Sequence, residues 1–108
     1  MKTAIAALLL ASSLGPAAAQ SGEPAELKRG EALLTRHCAS CHAVGRTDAS
    51  THKEAPAFRT LSRRYPVDAL EEALAEGIVS GHPDMPEFEF EAPDVGAIIA
   101  YLKSIQAQ

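Results

Sequence analysis

Apolar positions along the chain fall mainly into helical spacings. Val95, Ile98, Ile99, Leu102 and Ile105 stand at i, i+3, i+4, i+7 and i+10, which predicts an amphipathic helix beginning near Pro93. Val67, Leu70 and Leu74 share one face of a shorter helix, opened by Pro66 and closed by Gly77. A third helix starts at the signal Ser21-Gly22-Glu23-Pro24 and runs from Ala25 to about Arg36. Its apolar residues are Leu27, Leu33 and Leu34, set among Lys28, Arg29, Glu31 and Arg36. Residues 43–57 are small, polar and end at Pro56, so they read as a loop. A helical turn is expected near Ala57 to Arg64. Residues 81–91 are irregular, with Pro83 and Pro86, and Phe88 and Phe90 alternate with Glu87, Glu89 and Glu91. That stretch is expected to run extended, phenylalanines inward and carboxylates outward. Internal repeats are lacking. The pattern is all-α.

The N-terminus reads differently. Lys2 precedes the unbroken apolar run Ala4 to Ala11, Gly15-Pro16 breaks it, and Ala17-Ala18-Ala19 meets the small-x-small rule for signal peptidase. The run is too short to span a bilayer, which disfavours an uncleaved anchor. The expected organisation is a signal peptide, 1–19, and one domain, 20–108. Cleavage after about Ala19 leaves 89 of the 108 residues and takes the formal charge from −4 to −5. The expected location is the periplasm, and the mature chain is not expected to span a membrane.

Length and composition narrow the class. A chain of 108 residues allows one domain, and its acidic balance provides no basic stripe for nucleic acid. With five aromatic residues and no Trp, it has trouble filling a core unaided.

The chemistry is concentrated in Cys38-Ala39-Ser40-Cys41-His42, the C-x-x-C-H pattern of covalent c-type haem attachment. Two cysteines three apart on a helical turn present their sulfurs to two vinyl groups, and the following histidine lies beneath the ring, able to bind iron. A thioredoxin-like redox pair needs a βαβ setting, and no strand precedes these cysteines. A disulfide across so short a loop does little for stability. A zinc site needs four ligands, and His37, His52 and His82 show no suitable spacing beyond His37 with His42. Met/His ligation is the usual electron-transferring arrangement in cytochromes c. Met85 is the sole methionine after Met1 and sits in His82-Pro83-Asp84-Met85-Pro86, off any helical stripe. His82 competes for the same role, and Met85 is preferred. A core-filling methionine is the plain alternative.

On these residues the mature chain resembles a class I c-type cytochrome of the small bacterial monohaem kind, over Leu27 to Ile105. Cys38-x-x-Cys41-His42 matches the attachment site, and Glu76-Gly77-Ile78 with Gly81 to Pro86 resembles the segment delivering the distal methionine. Ala97 to Leu102 resembles the start of the C-terminal helix. The resemblance implies a small cytochrome c-like fold of about 3–4 helices wrapped around one covalent haem c. It further implies that the N-terminal helix crosses the C-terminal one at Gly30 and Leu34, facing Ile98 and Tyr101, and that the Pro56 carbonyl accepts a bond from His42 Nδ1. Cys38 and Cys41 would bind the haem, with His42 and Met85 as iron ligands. Phe58, Leu61, Leu70, Leu74, Ile78 and Phe88 are candidate pocket walls. Arg63-Arg64 reads first as a solvated pair, with a propionate or partner contact the lesser reading.

The function expected is one-electron transfer rather than catalysis, since six-coordinate iron has no open position. Expected partners are periplasmic or membrane-bound redox proteins with a basic docking face, and a monomer is the default. Two alternatives stand beside this: a dedicated cytochrome subunit of a periplasmic dehydrogenase, or a five-coordinate haem sensor or peroxidase-like protein.

Overall fold

The computed structural model describes residues 11–12, 15, 22–79 and 81–107. The expected leader, 1–19, therefore lies outside the described residues except at three positions. Helix α1 spans Glu23–His37, α2 spans Glu71–Glu76 and α3 spans Ala92–Ile105. Two 3₁₀ segments, Phe58–Arg63 and Val67–Leu70, complete the regular structure, and no strand occurs among the described residues. The fold is all-α.

Helix α1 begins without a side-chain cap. Pro24 stands in its first turn and Gly22 O accepts from Ala25 N at 3.0 Å. Glu23 and Glu26 at its start and Arg36 and His37 at its end complement the helix dipole. The helix expected from Val67 to Glu76 is instead a 3₁₀ segment, Val67–Leu70, that passes into α2. Its first turn is tightened, Ala69 N bonding back to Pro66 O at 3.0 Å. Gly77 ends α2 at φ +113°, a backbone angle that side chains resist.

The core is the crossing of α1 and α3. All five residues of the α3 stripe are buried, Ile98 completely, and Leu34 meets them from α1. The helices touch at Gly30, where a Cβ would overlap the Ala97 carbonyl oxygen and lie 2.8 Å from Tyr101 Cβ. Tyr101 is thus a partner as expected, Ala97 joins it at Gly30, and Ile98 lies with Leu34 in the same buried cluster. The small Ala97 lets the backbones meet, while Ile98 turns to line a cavity. Arg29 pairs with Asp94 across the same seam.

Candidate haem pocket

The turn after α1 builds the first part of the site. Helical bonding ends with Cys38 N and Ala39 N both on Leu34 O, at 2.8 and 3.1 Å. The chain then coils once more, Cys41 N and His42 N both bonding Cys38 O at 3.1 and 2.9 Å. This coil turns Cys38, Cys41 and His42 onto one cavity of about 570 Å³ with a mainly apolar lining. A volume of that order suits a cofactor.

The two thiols are not bridged. Burial, with a smaller contribution from Cys41, pushes the Cys38 thiol up to about 11. Redox-active cysteine pairs and metal thiolates depend on the opposite displacement.

His42 is held in one tautomer. Its Nδ1 donates to Pro56 O at 2.8 Å, since a carbonyl can only accept, and the ring stacks on Phe58 with centroids 4.6 Å apart. The Nε2 lone pair therefore remains for a metal, and the carbonyl raises its basicity. The Pro56 contact implied by the resemblance is present.

The loop from Val44 to Ala55, to which the family resemblance carries nothing over, is tied to the Cys–His turn by hydrogen bonds. Ser50 Oγ accepts from Ala43 N at 2.9 Å, and Asp48 accepts from Val44 N and Gly45 N at 3.2 and 2.9 Å. His52 N bonds Cys41 O at 3.1 Å, and Phe58 N bonds Ala43 O at 3.0 Å. Tyr101 Oη donates to Val44 O at 2.8 Å, fastening this loop to α3. The sequence signal was present in Asp48 and Ser50, turn-capping residues, but their partners were not readable.

The far part of the cavity is formed after Gly77. Ile78 N bonds Phe88 O at 3.1 Å and Phe90 N bonds Leu74 O at 2.8 Å, so the segment runs extended against α2. Phe88 and Phe90 are half-buried while Glu87, Glu89 and Glu91 are exposed, the alternation expected. Both phenylalanines contact the ring of His37, at 5.6 and 5.5 Å. Met85, half-buried, lies in the intervening loop and lines the cavity, its amide bonding His82 O at 3.2 Å.

Cys38, Cys41, His42 and Met85, distributed over 48 residues of sequence, thus share one cavity with all six expected wall residues. Of the two adjacent arginines, Arg64 and not Arg63 lines it. His82, the competing ligand, lines the same cavity and contacts Glu54 through Nε2 at 2.5 Å. The sequence did not place His52 and Glu54 at the cavity rim; His52 and His82 stand 30 positions apart in unpatterned loops, and no spacing rule joins them.

A family model described as cytochrome c oxidase, cbb3-type, subunit III matches residues 25–102. Cytochrome c-552 of Bradyrhizobium diazoefficiens is 36% identical over 82 residues, covering 76% of this chain and 77% of the relative. No solved structure matches.

Proposed function

The chain belongs to the c-type cytochromes, as a small monohaem protein of class I, and on that premise we propose that it is a periplasmic electron carrier whose iron is held between His42 and Met85. Covalent haem c and haem-based electron transfer follow from the family. The observation that carries the finer reading is the single apolar cavity lined by both thiols, the oriented His42 and the only methionine after Met1.

Bound haem supplies a one-electron couple between ferric and ferrous iron. The remaining work is done by the chain. Cys38 and Cys41 fix the ring covalently, and Pro56 O and Phe58 hold the His42 imidazole in one orientation. Met85 supplies a neutral, polarisable sulfur, and the apolar walls exclude water. Both disfavour the extra charge of the oxidised state and raise the potential.

The periplasmic location rests on the N-terminal pattern of Lys2, the apolar run and Ala17-Ala18-Ala19. Among the described residues no helix is long and apolar enough to cross a membrane. The acidic residues Asp84, Glu87, Glu89 and Glu91 are exposed around the Met85 loop, so the partner we propose presents a basic face. The matching model's name, an oxidase subunit, favours a second reading in which this domain serves within a larger redox complex. Co-purification with a larger enzyme separates that reading from a free carrier.

The test is carbon monoxide binding to the reduced protein. A His42/Met85 iron leaves the wild-type spectrum unchanged under carbon monoxide, and Met85→Ala makes it responsive. A wild type that binds the gas readily is a five-coordinate haem protein, and the carrier reading fails.

A further inference from the structure

We propose that the rim of the haem cavity carries a second metal site, for one late first-row divalent ion such as zinc, built from His52, His82 and Asp84. His52 stands in the loop after the Cys–His turn, and His82 and Asp84 stand in the Met85 loop. The fold brings these two loops together. One ring nitrogen of each histidine and one carboxylate oxygen of Asp84 all lie within 4.8 Å of one another. The two rings meet edge to face with centroids 5.1 Å apart. His52 Nε2 is 3.4 Å from Asp84 Oδ2, and His82 Nε2 is 2.5 Å from Glu54 Oε2. Glu54 is therefore the nearest further donor.

Two imidazoles with carboxylates suit zinc or copper(II), whereas magnesium and calcium take oxygen ligands. Metal–ligand bonds of about 2.0–2.2 Å place the donors of a tetrahedral site roughly 3.3–3.6 Å apart. The loops need to close by at most about 1.5 Å to reach that spacing, a small rearrangement for side chains at the surface. The protons also allow it. Glu54 N donates to His52 Nδ1 at 3.2 Å and Asp84 N to His82 Nδ1 at 3.3 Å, so each neutral ring carries its proton on Nε2. Coordination through Nε2 moves that proton to Nδ1 and releases the two amides, which belong to the exposed residues Glu54 and Asp84. As plain surface ion pairs these contacts contribute little. As a metal site they would fasten the loop after the haem-attachment turn to the loop that carries Met85, one residue from Asp84. Occupancy also sets a cation on an otherwise acidic edge.

The experiment is a calorimetric titration of the haem-loaded protein with zinc chloride, magnesium chloride serving as the comparison. The expected result is one saturable zinc site per chain and none for magnesium. His52→Ala and His82→Ala each weaken binding by at least about tenfold. His37→Ala, at the remaining histidine outside the haem ligation and this cluster, leaves it intact. A readout on the wild type avoids any folding defect of the variants: zinc should slow hydrogen–deuterium exchange at the ring C2 of His52 and His82, read by mass spectrometry, without slowing His37. Absence of a saturable site, binding that persists without His52 and His82, or exchange slowed only at His37 overturns the proposal. The visible spectrum of the same sample reports the haem, so failure of the electron-carrier reading and failure of the zinc site appear on separate signals.

Discussion

Replacing Gly30 by alanine adds one methyl group at the closest approach of α1 and α3. That carbon would overlap the Ala97 carbonyl oxygen and lie 2.7 Å from the Ala97 carbonyl carbon and 2.8 Å from Tyr101 Cβ. Ordinary carbon contacts are about 3.5–4.0 Å, so the helices must part by roughly 1 Å. Two of the three obstructing atoms are backbone and the third is the root of a side chain, so no rotamer change relieves the overlap. Against this, alanine is the better helix former by about 1 kcal/mol. Overpacking of a close core seam costs about 1–3 kcal/mol, and an obstruction by backbone stands at or above the upper end of that range. The expected net loss is about 2 kcal/mol. At about 4–8 °C per kcal/mol for a domain of this size, the melting temperature should fall by roughly 8–16 °C. Thermal unfolding of the haem-loaded protein, followed by far-ultraviolet circular dichroism and by haem absorbance together, measures it. A variant as stable as the wild type, or more so, refutes the close crossing, because helix propensity alone would then govern.

Three further outcomes are expected. Tyr101→Phe leaves the buried Val44 carbonyl without its donor at 2.8 Å and should cost about 1–3 kcal/mol in denaturant unfolding, loosening the loop that follows the attachment turn; an unchanged midpoint denies that bond a role. Replacing both Cys38 and Cys41 with alanine should release haem to acid-acetone and deplete folded protein, whereas the wild type should retain its haem through denaturing electrophoresis. If the acidic residues near Met85 steer a basic partner, the second-order rate of electron exchange should fall as salt rises, and reversing the charge at Glu87 and Glu89 should flatten that dependence. A wild-type rate insensitive to salt leaves those carboxylates a role in solubility only.

The parts of this protein that were legible in sequence are those set by periodicity or by fixed spacing. The α3 stripe from Val95 to Ile105 is buried as its spacing requires, because a helix can hide those residues on only one side. The Cys38–His42 coil is local, so its geometry travels with its five residues. Gly30 was legible through the family resemblance, and the close approach of the Ala97 backbone gives it a physical reason. That Ala97 also meets it was not readable, because the nearest atoms are the Ala97 carbonyl carbon and oxygen, backbone atoms with no sequence signal. Loop 43–57 resisted reading because its order comes from Asp48, Ser50 and Tyr101, side chain to backbone bonds with no periodic signature. The His52, His82 and Asp84 cluster is a product of tertiary structure alone.

The absorption spectrum of the purified oxidised protein tests the pairing of His42 with Met85 most directly. A thioether on ferric iron gives a weak far-red charge-transfer band. That band should be present in the wild type, persist in His82→Ala and vanish in Met85→Ala. A wild type without the band, or a band that survives Met85→Ala and is lost in His82→Ala, contradicts the pairing of His42 with Met85.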